Sequence, residues 1–344
     1  MTEINKELLK QTVIKLMSPD KGILAADESN DTANKRLESY NITASEEKRR
    51  QYRELFFATP EIEKYVSGII MYDETFWQKS NSDVSYPQFL EQKGILPGIK
   101  VDTGAKDFPG FPEEKITVGL DDLQLRAQKY FDNGAKFAKW RAVIKIDDEK
   151  GLPTDAAIDA NIESLCRYVK ICQQIGLVPI IEPEVLLNGK HSIKKSEEVT
   201  SVLLLKLFSK LKEYEAYLPG LILKIGMVIN GDQNPDEASP EEIAKSTVRV
   251  LNKNVPTEIG GVVFLSGGQT AVEATTHFDA IVETNELKFE NAFSYARALQ
   301  DGALTIWKGQ EENVDNARAE FIKRLKLNSL ADSGKYDIKM EYLG

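Results

Sequence analysis

Short, nearly unbroken apolar runs recur along the chain, at residues 22–27, 66–72, 95–102, 137–146, 177–185, 221–228, 261–268 and 289–295. Between them the apolar positions change to helical spacing. Ile158, Ile162, Leu165, Val169 and Cys172 fall three or four apart and predict a helix over 155–175. Ser239-Pro240-Glu241-Glu242 predicts another helix start, with a Ser cap, Pro at the first helical position and Glu at the third. A strand that is apolar on both faces belongs in a parallel sheet covered by helices. Eight such strands, each followed by a helix, close a barrel. An open doubly wound sheet is the other arrangement, but no GxGxxG follows the first run. The pattern therefore predicts an α/β protein, a (β/α)8 TIM barrel. It is a single domain over 1–328, opened by an amphipathic N-terminal helix. Residues 329–344 are polar, carry Gly334 and predict a flexible C-terminal tail.

Charge narrows the partners. Lys and Arg number 44 against 54 Asp and Glu, a net charge of −10, so nucleic acid is not an expected partner. No apolar run approaches the roughly 18 residues of a membrane span. The acid-bearing start resembles neither a secretory signal nor a transit peptide, which predicts a cytoplasmic protein. The only histidines are His191 and His277, and the only cysteines are Cys166 and Cys172. Six residues apart on one helix, the two thiols point about 120° apart and cannot pair. So small a set argues against zinc, and neither metal nor cofactor is expected. Carboxylates, lysines or a hydroxyl must then carry any proton chemistry.

Charged residues stand where the apolar runs end, at the face on which barrels place their active sites. They are Asp27, Lys100 with Asp102, Lys139 with Arg141 and Lys145, Glu182 with Glu184, and Lys224. Period-two alternation puts Lys139, Arg141 and Lys145 on one face, as it does Glu182 and Glu184. In the sixth run Leu221, Leu223 and Ile225 face the helices, which points Lys224 inward. Counting Arg297, six inward cations face three clear inward anions. This predicts a basic cavity for an anionic small substrate. Ser266-Gly267-Gly268 closes the seventh run, and Ser294 and Arg297 follow the eighth, where barrels commonly hold phosphate. Lys224 is the natural nucleophile, because desolvation beside a cation such as Lys139 favours the uncharged amine. Glu182 and Glu184 can shuttle protons, with Asp27 as a second base. The residues describe a Schiff-base barrel acting on a phosphorylated carbonyl compound.

Seven stretches then carry a specific resemblance: KGILAADES (21–29) with Lys35-Arg36 after it, GIKVD (98–102), FAKWR (137–141), IIEPEVL (180–186), LILKIGMV (221–228), FLSGGQ (264–269) and FSYARALQ (293–300). In order and over nearly the whole chain, they resemble the class I fructose-1,6-bisphosphate aldolases. The resemblance implies that Lys224 forms the Schiff base with dihydroxyacetone phosphate, in glycolysis and gluconeogenesis. Glu182 would be the main proton shuttle. Asp27 would act at the hydroxyl whose deprotonation breaks the carbon–carbon bond. Lys139 would stabilise the carbinolamine steps with Glu184 beside it. Ser266, Gly267, Gly268, Ser294 and Arg297 would serve the 1-phosphate. Ser29, Arg36 and Lys100, with Arg141 near them, would serve the 6-phosphate end. It also implies a metal-independent lyase, a homotetramer and a phosphosugar substrate.

The chain departs from that family at Ile225-Gly226, where Pro-Asn is common, at Ala296, where Gly is common, and at Thr32, where Ser is usual. Family members typically end in a tyrosine that enters the active site. Here the last aromatic is Tyr342, two residues before Gly344, and the tail is read as carrying it to the site or packing outside the barrel. Two other readings remain: another Schiff-base barrel lyase of phosphorylated sugars, such as a transaldolase, or a partner-binding scaffold.

Overall fold

The computed structural model describes residues 4–342. Eight parallel strands form the main sheet: β1 (Gly22–Ala26), β2 (Val66–Met71), β3 (Leu96–Lys100), β4 (Phe137–Ile144), β5 (Val178–Val185), β6 (Ile222–Gly226), β7 (Gly261–Leu265) and β8 (Asn291–Phe293). They fall in the eight apolar runs and pair in chain order. The ring closes just beyond β8. The Ala25 amide donates to the Tyr295 carbonyl at 3.0 Å, and Gln300 Nε2 donates to the Ala25 carbonyl at 2.9 Å. The fold is a (β/α)8 barrel.

Alternation divides each strand between two cores. Leu24, Ile69, Leu223, Ile225, Val262 and Phe264 pack outward among the helices. Ile23, Ala25, Ile70, Phe137, Val178, Ile180, Ile222, Val263 and Ala292 fill the interior. The N-terminal helix Lys6–Leu16 plugs the bottom, since its Leu9, Val13 and Leu16 join the inner cluster. Each such buried side chain contributes about 1.5–3 kcal/mol. The Phe137 ring needs glycine beside it, because a Cβ at Gly98 would lie 2.2 Å from its Cζ.

Two features differ from the sequence reading. A two-stranded antiparallel hairpin, Ala105–Asp107 with Lys115–Thr117, follows β3. Its three-residue strands are too short to show periodicity, and Asn161 pins it by accepting from the Thr117 amide and donating to the Lys115 carbonyl. The C-terminal helix Val314–Asp332 also runs through residues 329–332, where a structureless tail was expected. Buried Leu327 and Ala331 extend its apolar face. Beyond it lies a short 3-10 turn, Ile338–Glu341. Arg324 Nη1 donates to both Glu341 carboxylate oxygens at 2.6 and 2.5 Å, and the Tyr336 hydroxyl donates to Oε1 at 2.9 Å. Tyr342 is 82% exposed on the outside of the barrel, and Gly344 lies outside the described residues. No helix among the described residues is long and apolar enough to cross a membrane.

Candidate active site

The inner face of the barrel changes from apolar to charged along each strand. Ile23 and Ala25 lead to Asp27, Phe137 to Lys139 and Arg141, Ile180 to Glu182 and Glu184, and Ile222 to Lys224. Period two carries one face from the plugged bottom to the open top. Asp27, Lys139, Glu182, Glu184 and Lys224 are all buried. Charges so placed must be paired. Lys139 Nζ lies 2.7 Å from Asp27 Oδ2 and 2.9 Å from Glu182 Oε2, while Lys224 Nζ lies 3.1 Å from Glu182 Oε1. One carboxylate thus bridges two amines.

The electrostatics follow from this packing. Burial alone would push the Asp27 carboxyl up, but Lys139, Lys224 and Lys100 together outweigh it and hold the group well below the usual carboxylate range. Glu182 is likewise lowered against burial, by Lys139, Lys224 and Arg141. Burial would lower Lys139, yet Asp27 and Glu182 raise it well above an ordinary lysine, so it is a permanent cation.

The expected excess of inward cations is not what the structure contains. Asp102, not counted among the anions, lies 3.2 Å from Lys100, and Glu184 takes Arg141 at 2.5 Å. Lys145, just past the end of β4, turns to the rim and pairs with Glu113 of the hairpin loop and, at 3.8 Å, with Asp147. Near-neutral pairing replaces the basic cavity, because each buried cation brought its own carboxylate.

Arg297 is the exception. It opens the helix Arg297–Trp307, is exposed and has no ion-pair partner among the described residues. A Cβ built at Gly268 would lie 3.7 Å from its Nη2, so its guanidinium stands over the Ser266-Gly267-Gly268 turn. Both glycines are left-handed, at φ 59° and 102°, where other residues are strained. Ser294 is buried beside this turn; its amide donates to the Phe264 carbonyl at 2.8 Å, and its hydroxyl has no partner among the described residues. Behind the turn, Gln269 Nε2 donates to the Ser266 carbonyl at 2.9 Å. Its Oε1 lies 2.5 Å from His277 Nδ1, which must carry the proton. Sequence reasoning missed this support, although Gln269 closes the FLSGGQ stretch and His277 follows eight residues on.

After β1, Ser29 caps the helix Asn30–Ser39, its hydroxyl taking the Thr32 amide at 3.4 Å and lying 3.1 Å from Thr32 Oγ1. Arg36 is committed elsewhere: it pairs with Glu28 and, at 2.5 Å, with Asp301, and donates to Tyr52 and Gln300 at 2.7 Å each. Among the described residues only its Nε lacks a partner, and that atom is buried. Arg36 is therefore a brace between the ends of β1 and the helix after β8. Of the other departures, Gly226 leaves room for a side chain. A Cβ at Gly226 would meet Leu265 Cδ1 at an ordinary 3.6 Å. Ala296 stands just before its helix at φ −108° and ψ −89°.

A family model described as fructose-bisphosphate aldolase class-I matches residues 7–343. The chain is 45% identical over 322 residues to the fructose-bisphosphate aldolase of Dictyostelium discoideum, covering 93% of this chain and 90% of that one. It is 46% identical over 323 residues to the cytosolic fructose-bisphosphate aldolase 4 of Arabidopsis thaliana, covering 93% and 81%. The Plasmodium falciparum aldolase, solved in complex with TRAP and a small-molecule inhibitor, superposes with a TM-score of 0.95 at 43% identity, with 96% of each chain covered. A barrel with amines and carboxylates interleaved at its mouth, and this likeness across nearly its whole length, mean that the chain belongs to the class I fructose-bisphosphate aldolases, the lyases that cleave fructose 1,6-bisphosphate reversibly through a lysine Schiff base.

Proposed function

We propose that Lys224 is the Schiff-base lysine and that Glu182 relays its protons. The observation that carries this reading is the single Glu182 carboxylate lying 3.1 Å from Lys224 and 2.9 Å from Lys139. Lys139 is locked as a cation by two carboxylates, which leaves Lys224 as the nucleophile. Glu182 takes a proton from Lys224, whose amine adds to the substrate ketone. Glu182 then returns a proton to the carbinolamine hydroxyl, which departs as water and leaves the iminium. Asp27, kept ionised, takes the proton of the substrate hydroxyl. The carbon–carbon bond breaks, glyceraldehyde 3-phosphate leaves, and the electron pair enters the iminium as an enamine. Protonation and hydrolysis of the enamine release dihydroxyacetone phosphate. Lys139 balances the negative charge on these oxygens, with Glu184 beside it.

Ser266, Gly267, Gly268, Ser294 and Arg297 hold the 1-phosphate. Lys100 and Arg141 meet the 6-phosphate, with Ser29 at the helix start beside them. Arg36 acts there only through the brace it forms with Glu28. The enzyme works in the cytoplasm, as the cytosolic Arabidopsis relative suggests, and assembles as a homotetramer. Leu125, Val202 and Leu205, exposed at 72%, 44% and 63%, support subunit contacts, the last two sharing one face of the helix Ile193–Glu213. Borohydride reduction with dihydroxyacetone phosphate, followed by peptide mapping, tests the assignment. The adduct is expected on Lys224, and label on Lys139 or Lys100 overturns it.

A further inference from the structure

We infer that Asp102 is a positioning residue for the 6-phosphate end of the substrate, acting through Lys100 and Arg141; the inference rests on the assignment of Lys100 to that phosphate. Asp102 follows β3 by two residues and shares the inner face with Lys100. Its side chain is only 2% exposed. Such a carboxylate is costly to bury unless its oxygens are filled, and here three donors fill them. Oδ1 accepts from the Gly104 amide at 3.1 Å and lies 3.2 Å from Lys100 Nζ, while Oδ2 accepts from the Arg141 amide at 3.2 Å.

The two backbone hydrogen bonds tie the carboxylate to the loop after β3 and to the middle of β4. The third contact then transfers that fixed position to a lysine on a flexible four-carbon stem. Among the described residues Asp102 is the only acid within ion-pair distance of Lys100, whose other restraint is the Tyr72 ring, 5.8 Å away. The same carboxylate fixes the backbone of Arg141, whose guanidinium is turned toward Glu184. One buried group therefore holds Lys100 directly and Arg141 through its backbone, and it reaches Lys139 only through its charge, as a lesser contributor behind Asp27 and Glu182.

The test compares fructose 1,6-bisphosphate with fructose 1-phosphate in Asp102→Asn, Lys100→Met and the double variant. Asp102→Asn is expected to raise KM for the bisphosphate about tenfold and to leave both constants for the monophosphate within about twofold. In the Lys100→Met background its effect should shrink to what Asp102 exerts through Arg141 alone. Asp102→Glu keeps the charge but moves it by one methylene, and should show the same discrimination if Asp102→Asn does not fold. Equal losses on both substrates, or a multiplicative loss in the double variant, overturn the inference. If Lys100→Met discriminates and neither Asp102 variant does, the inference alone fails. If Lys100→Met does not discriminate, the assignment of Lys100 fails and takes the inference with it.

Discussion

Lys224 Nζ and Glu182 Oε1 lie 3.1 Å apart, close enough for a direct proton transfer. Glutamine at 182 keeps the shape and one acceptor but cannot hold a proton. Glu182→Gln is expected to lower kcat by roughly 10²–10⁴-fold with a small change in KM, the range for losing a positioned acid–base group. Rapid-quench trapping with borohydride should show slower adduct formation at Lys224. A variant with wild-type turnover would assign the relay to another group.

The second prediction concerns pH. Asp27 and Glu182 are held ionised, against burial, chiefly by Lys139. Lys139→Met removes that cation, so both carboxyls rise and the acid limb of the kcat/KM profile moves to higher pH. The stability effect has a definite sign. A carboxylate lowered on folding contributes stability that is complete above its unfolded pKa of about 4 and is lost as pH falls below that. The variant should therefore lose stability most at neutral pH, with the gap to wild type narrowing in acid. Calorimetry between about pH 3 and 7 checks it, and a gap that widens in acid contradicts the assignment.

A third prediction follows from the unpaired guanidinium over the Ser266-Gly267-Gly268 turn. Arg297→Ala should weaken every substrate carrying a 1-phosphate by about 1.5–3 kcal/mol in kcat/KM, the range for a charge-assisted bond. Arg297→Lys restores the charge but not the fork, and should recover part of the loss. Both fructose 1,6-bisphosphate and fructose 1-phosphate should suffer alike. Loss confined to the bisphosphate would place Arg297 at the other end of the substrate.

What could be read in advance, and what could not, has a physical basis in these residues. The eight strands were legible because burial on both faces leaves a nearly continuous apolar run. Lys224 and Glu182 stood out because charges inside such runs are costly. The Arg36–Asp301 pair spans 265 residues of sequence, so nothing local distinguished a brace from a phosphate ligand. Asp102 was visible beside Lys100, and its bond to the Gly104 amide is local, but its bond to the Arg141 amide exists only once β3 and β4 lie side by side. The end of the last helix was misplaced because Gly334 and the polar residues around it obscured the apolar positions before them.

Asp332, on that helix, supports a fourth prediction. Burial, with Asp20 and Glu290 adding to it, raises its carboxyl to about 7, although the Asp20 amide donates to Oδ2 at 2.9 Å. Oδ1 is buried without a partner among the described residues. A carboxyl raised on folding binds its proton more tightly in the native state, so stability falls as pH climbs from about 4 to 7. Asp332→Asn removes that dependence. It should raise Tm at pH 8 by an amount on the order of 1–2 °C, the shift for about 1 kcal/mol in a chain of this size, and give no gain near pH 4. A gain of equal size at both pH values would point to packing instead of ionisation.

The last prediction separates two roles within the C-terminal segment. Glu341 accepts from Arg324, whose side chain is 5% exposed, and Arg324 Nη2 also donates to the Ala271 carbonyl and to Thr275 Oγ1. Removing residues 340–344 leaves that guanidinium without its acid, which costs about 1–3 kcal/mol for an unsatisfied buried charge partly open to water. This truncation should therefore lower Tm and can say little about Tyr342. Ending the chain after Glu341 keeps the pair. If Tyr342 takes part in proton exchange on the enamine, that shorter truncation and Tyr342→Phe should both slow tritium release from labelled dihydroxyacetone phosphate. Both should leave Tm and borohydride trapping at Lys224 unchanged. The 82% exposure of Tyr342 in this structure means that the segment must swing inward to act. Arg324→Met, which releases Glu341, should accelerate exchange if undocking limits it. Wild-type exchange in both Tyr342 variants would leave Glu341 as the anchoring residue and Tyr342 with no catalytic part.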